Sequence, residues 1–138
     1  MIYGANGYTG TLLAQAAAAR GLKPVLAGRN TRAITQLAES LGLAHQCFDL
    51  HDQQALQQTR ADHRVILNCA GPFSATSQPL IDACLATGCH YLDITGEIDA
   101  FVAAQARQTD AEQANIVICP GVGFDVIPTD CIAASLKQ

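Results

Sequence analysis

Short runs of strand-forming residues alternate with longer stretches of helical period about six times along these 138 residues. Few folds accept that rhythm. Strands are expected at 1–3, 24–27, 45–48, 65–69, 90–94 and 116–119. Helices are expected over 8–20, from Asn30 or Thr31 to 41, over 52–59, from Ser77 to 87 and over 97–113. In the second, Ile34, Leu37, Ala38 and Leu41 fall at i, i+3, i+4 and i+7 and form one apolar stripe. In the fourth, Ser77 is expected as the N-cap with Pro79 in the first turn. In the last, Ile98, Phe101 and Val102 are expected to face inward. Gly21, Gly42 and Gly88 stand where left-handed helix ends are made. Alternating strands and helices imply βαβ units and a parallel sheet. Right-handed crossovers then favour an α/β, doubly wound sheet of six strands in the order 3-2-1-4-5-6.

Composition agrees. Apolar residues make up 49% and charged residues 14%, which excludes a disordered chain and fits strands buried on both faces. Trp is absent, so the core rests on Ala, Ile, Leu and Val. The net charge of −4 has no run of either sign, and no basic footprint for nucleic acid is present. No apolar run approaches the roughly 20 residues of a membrane span. The N-terminus lacks the pattern of a secretory signal, so a cytoplasmic location is expected. The six cysteines form no CxxC pair and are expected as free thiols. Cys47, Cys69 and Cys119 sit in apolar stretches and are expected to behave as small hydrophobes. Cys84, Cys89 and His90 match no common zinc spacing, so no metal site is expected.

The turn after the first strand, Gly4-Ala5-Asn6-Gly7-Tyr8-Thr9-Gly10, reads GxxGxxG. Glycines cluster in many turns, but here a strand precedes the pattern and an Ala-rich helix follows. Gly7 and Gly10 align with the last two glycines of the dinucleotide fingerprint, and Ala5 replaces the first. Such a turn needs glycine so that the chain can reverse, so that backbone amides can approach a pyrophosphate, and so that helix and strand can pack closely. The helix N-terminus then offers unpaired donors and partial positive charge to a diphosphate. The expected fold is a Rossmann domain.

Domains that bind NAD place an acidic residue about 20 residues past the fingerprint, at the end of the second strand, to hold the ribose 2′-hydroxyl. This chain has Gly28-Arg29-Asn30 there, with Arg32 close behind. A carboxylate would repel a 2′-phosphate, whereas a guanidinium pairs with it bidentately. The expected cofactor is NADP, with Arg29, Asn30 and Arg32 beside its phosphate. Ligands of such sheets lie outside the carboxyl ends of the strands. That places Asn68, Cys69, Ala70, Gly71 and Pro72 on the nicotinamide-ribose side, with Thr95, Gly96 and Glu97 after the fifth strand. Gly121, Gly123, Phe124 and Asp125 follow the sixth. Asp125 is the single catalytic candidate.

The segments GANGYTG, LAGRN, NCAGPF, YLDITGE and PGVGFDVIPTD, in this order, together resemble the saccharopine dehydrogenase-like oxidoreductases. Within that family they are similar to the branch of trans-acting enoyl reductases and saccharopine reductase-like proteins. The resemblance implies an NADP-binding domain over 1–128, with 129–138 starting the connection to a substrate and dimerisation domain. It implies hydride transfer to or from a small-molecule substrate, a homo-oligomer, and an isolated chain that is not catalytically complete. Phe124, Val126, Ile127, Ile132 and Leu136 are expected to pack on that partner domain. Two other readings compete with this one. A short-chain dehydrogenase needs a Tyr-xxx-Lys pair, yet the residues four after Tyr3, Tyr8 and Tyr91 are Gly7, Leu12 and Thr95. A non-catalytic NADP sensor or interaction module remains an alternative on the residues alone.

Overall fold

The computed structural model describes residues 1–52, 56 and 63–137. Six strands form one parallel sheet: β1 (Ile2–Tyr3), β2 (Leu26–Gly28), β3 (His45–Cys47), β4 (Val65–Asn68), β5 (His90–Asp93) and β6 (Ile118–Cys119). Their spatial order is β3-β2-β1-β4-β5-β6, as the alternation implied. Ile2 pairs with Leu26 and Leu67, and Tyr3 with Ala27 and Asn68. Successive side chains of a strand point to opposite faces. Ile2 and Leu26 accordingly join one core with Ala14, Ile34 and Ala38, whereas Tyr3 and Ala27 join the other with Ile66, Leu80, Ile81 and Tyr91.

The helices are α1 (Tyr8–Ala19), α2 (Thr31–Leu41), α3 (Phe73–Thr87), α4 (Ile98–Gln105), α5 (Gln108–Ala114) and α6 (Ile127–Leu136). Local signals set several of their ends. Asn30 caps α2 by accepting from the Ala33 amide at 3.1 Å, and Gly42 and Gly88 close α2 and α3 in the left-handed conformation. Ile34 and Ala38 are buried on the expected stripe of α2.

Other elements depart from expectation. Helix α3 begins at Phe73, four residues before Ser77, which is buried and donates to Asp93 Oδ2 at 3.4 Å. Its first amides are capped by Glu97, a residue 23 or more positions later in the chain, which no local pattern can announce. Pro79 consequently sits inside the helix. The expected helix over 97–113 is broken at Ala106 and Arg107, whose guanidinium pairs with Asp82 of α3 and Asp110 of α5. Ile98 and Val102 of α4 face outward, because the small residues Ala100 and Ala104 form its buried side. Cys47 and Cys119 are exposed and Cys69 partly so; the buried thiols are Cys84 and Cys89. The expected short helix over 52–59 lies largely outside the described residues. Helix α6 runs across the expected domain boundary at 128 and has no buried residue. Among the described residues, no helix is long and apolar enough to cross a membrane.

Candidate functional site

Three strand ends make the site. β1 stops at Gly4, whose φ of +77° is a conformation that side chains disfavour. A Cβ at Gly4 would also lie 2.8 Å from the amide nitrogen of Ala70, so β1 and the loop after β4 touch through this glycine. The Gly4 and Ala5 amides donate to the Ala27 carbonyl at 2.8 and 3.1 Å, which ties the turn to β2. The Gly7 amide donates back to the Gly4 carbonyl at 3.0 Å, and Gly7 then serves as the N-cap of α1. Among the described residues no side chain caps α1, so its first amides and its positive dipole end lack a side-chain partner.

A cleft of about 610 Å³ opens there, lined by Gly4, Asn6 and Gly7 from the turn, Gly28 at the end of β2 with Arg29 and Asn30 after it, and Cys69, Ala70 and Gly71 after β4. Tyr3 forms its floor. Four of its ten lining residues are glycines, and Arg29 stands on one side. α2 carries no acid in its first turn, so no nearby carboxylate there opposes an anion beside Arg29. Asn30 lends its side-chain oxygen to the α2 cap and also lines the cleft. Ala5 and Gly10 are buried beneath the turn. Tyr8, Thr9 and Arg32 are exposed and lie outside the lining.

An adjoining recess of about 110 Å³ continues past Arg29, bounded by Asp49, Leu50 and His51 after β3 and by Gly71 and Pro72 after β4. Gly28, Tyr3 and the Asp49–His51 segment are parts of the site that the sequence reasoning missed. The rule that ligands sit at strand carboxyl ends would have found the last of these, since Asp49 stands two residues past the end of β3. Burial first, then the Asp49 carboxylate, pushes the Tyr3 hydroxyl up to about 12, with Arg29 opposing. Cys69 is likewise pushed up to about 12, by burial and by Asp93, so its thiol stays protonated and poorly nucleophilic at neutral pH.

Asn68 and Thr95 are fully buried beneath this rim rather than in the cleft. Asn68 Oδ1 accepts from the Ala70 amide, and Thr95 Oγ1 accepts from the Glu97 amide, both at 3.0 Å. Asp125 is exposed in the loop before α6 and outside the cleft lining. Glu97 accepts from the Phe73 and Ser74 amides at 2.7 and 2.8 Å. Those two bonds hold its carboxyl below the usual range. A lowered carboxyl contributes stability that is complete above its ordinary value of 4.5 and is lost as pH falls through the lowered one. The melting temperature of Glu97→Gln should thus lie below that of the parent at pH 7, and the gap should close in acid. A gap that persists at pH 2.5 would show that the carboxylate is not the cap.

Residues 1–119 match the family described as the saccharopine dehydrogenase NADP binding domain. The chain belongs to that family. A probable mitochondrial saccharopine dehydrogenase-like oxidoreductase of Arabidopsis thaliana is 33% identical over 147 residues, covering 94% of this chain and 32% of the relative. A putative trans-acting enoyl reductase of Mycobacterium tuberculosis is 33% identical over 144 residues, with 94% and 33% covered. The chain thus spans about a third of the length of these relatives. The saccharopine dehydrogenase (L-Glu forming) of Saccharomyces cerevisiae superposes with a TM-score of 0.77 at 18% identity, over 90% of this chain and 27% of that one. At that identity the superposition speaks for the fold of this saccharopine dehydrogenase-type domain.

Proposed function

We propose that this chain is the cofactor-holding part of an NADP-dependent oxidoreductase that moves a hydride to or from a small molecule. One observation carries the proposal: a glycine-rich cleft joins the uncapped N-terminus of α1 to Arg29, just past the end of β2. The cradle fits a dinucleotide. A Cβ at Gly28 would press to 3.1 Å on Asn6 Oδ1, and one at Gly4 would meet Ala70, so these glycines let the turn, β2 and the loop after β4 close together around the cleft. The amides of the α1 N-terminus would hold the diphosphate. Arg29 would hold the 2′-phosphate, which is the feature that separates NADP from NAD. Ala70 and Gly71, being small, would let the nicotinamide ribose pass close to the backbone. The bound cofactor supplies or accepts the hydride, while this chain's residues orient it and leave one rim open. Direct titration with NADPH and NADH tests the reading; equal affinities would overturn the preference for NADP.

The rim needs a cover, because the hydride acceptor must be held near roughly 3–3.5 Å and water kept out. Phe124 and Leu136 are 86% and 84% exposed, and Ile127 and Ile132 of α6 are also open. These residues fit a further domain of the kind that the relatives' greater length provides. Left open, such an apolar face drives self-association. Light scattering of the 138-residue chain should report dimers or larger species, and Ile132→Asp with Leu136→Lys should return a monomer. A parent that is monomeric at high concentration would argue against the docking face.

A further inference from the structure

Beneath the rim runs a chain of buried polar groups that does not touch the cleft. Asp93, fully buried at the end of β5, receives four donors. Its Oδ1 accepts from the Thr95 amide at 3.0 Å and the Gly121 amide at 2.9 Å. Its Oδ2 accepts from the Tyr91 hydroxyl at 2.8 Å and the Ser77 hydroxyl at 3.4 Å. The Tyr91 hydroxyl in turn accepts from Asn68 Nδ2 at 3.2 Å, and Asn68 Oδ1 accepts from the Ala70 amide. On the other side Thr95 holds the Glu97 amide, and Glu97 holds the start of α3.

The loop between Ala70 and Phe73 is therefore tied at both ends to one carboxylate. That loop supplies Ala70 and Gly71 to the cleft, and it lies after β4. In the sheet order, β4, β5 and β6 stand on the opposite side of β1 from β2, which carries Arg29. A dinucleotide spans that reversal of strand order, with its two halves on opposite sides.

We infer that Tyr91 and Asp93 are positioning residues for the nicotinamide half of the cofactor, acting through Asn68 and the Ala70 loop. The chain of bonds has a direction. Asp93 is an acceptor only, so the Tyr91 proton points to it and the Tyr91 oxygen is free to receive Asn68. Asp93→Asn would turn a donor toward Tyr91 and take away the acceptor of its hydroxyl proton. The hydroxyl would have to turn to Ser77 or toward Asn68, and Asn68 could receive it only by flipping, which would take its oxygen from the Ala70 amide. Tyr91→Phe removes the hydroxyl and the conflict together, while keeping the ring in the core.

The inference rests on the dinucleotide reading, and two probes keep their failures apart. NADPH spans both halves, whereas 2′,5′-ADP carries only the half that Arg29 and the glycine turn would hold. In Tyr91→Phe, NADPH affinity should fall about tenfold, the equivalent of one hydrogen bond to a charged group, and 2′,5′-ADP affinity should stay within about twofold. Amide exchange at Ala70 and Gly121 should quicken. Asp93→Asn should cost less in the Tyr91→Phe background than in the parent, a coupling that general loosening does not produce. Unchanged NADPH binding, or both probes weakening in step with a lower melting temperature, would overturn the inference. A parent that binds neither probe would overturn the dinucleotide reading instead. The exchange rate at Ala70 would then still decide whether Tyr91 holds the loop.

Discussion

Gly10→Ala should lower the melting temperature by about 10 °C, although a single methyl group is added on a helix where alanine is otherwise the best residue. The reason is distance. A Cβ at Gly10 would stand 2.3 Å from the Gly4 carbonyl oxygen and 2.8 Å from Ala5 Cα, and both are backbone atoms that cannot swing aside. Helix α1 would have to lift from the sheet. That is overpacking at a site with no flexible neighbour, at the upper end of the usual cost, about 3 kcal/mol. Gly7 offers the contrast. A Cβ there meets only the Gly4 oxygen, at 3.3 Å, and the backbone φ of −73° suits any residue. Gly7→Val should melt within a few degrees of the parent but lose dinucleotide binding, because its branches would cover the amides that open on the cleft. Thermal melts and NADPH titrations of the two variants separate the roles. If Gly10→Ala melts like the parent, close packing of α1 on β1 is not what that glycine serves. If Gly7→Val binds, the loop is only a turn.

The same contrast explains what was legible in the sequence. Signals that act within a few residues agree with the structure: a cap at Asn30, one of the two residues expected there, the left-handed glycines at 42 and 88, the stripe through Ile34 and Ala38, and the strand–turn–helix around Gly4 to Gly10. Handedness and strand alternation then carried the sheet order without further information. Errors cluster where a partner far away in the chain decides. Ser77 has the chemistry of a helix cap, yet Glu97 outcompetes it by reaching the amides of Phe73 and Ser74. Ile98 and Val102 look like the inner face of a helix, yet α4 approaches α3 through Ala100 and Ala104, and close approach favours the small side chains. Asn68 and Thr95 were expected in the cleft because they stand at strand ends. The sheet instead uses them as buried connectors below it.

Arg29→Ala should remove most of the preference for NADPH over NADH and leave NADH binding nearly unchanged. Arg29 stands at the end of β2, on the wall of the cleft, immediately before the N-cap of α2. A cation at a helix N-terminus is electrostatically disfavoured unless an anion lies beside it, and no acid stands in the first turn of α2. Asp49 borders the adjoining recess together with Arg29, and the two act on Tyr3 in opposite senses. A 2′-phosphate would bring a second and closer counter-charge. A hydrogen-bonded pair with an ionised group contributes about 1.5–3 kcal/mol, and the open position of Arg29 favours the lower end. The NADPH-to-NADH affinity ratio should therefore fall about tenfold or more on removal of the guanidinium. Arg29→Lys should retain part of it, because a point charge keeps the attraction but not the two parallel bonds. Raising the salt concentration should weaken NADPH more than NADH in the parent and affect both alike in Arg29→Ala. Titration of the three proteins with both cofactors at two ionic strengths measures all of this. A ratio that survives Arg29→Ala would move the 2′-phosphate away from β2, and Arg32 would be the next cation to replace.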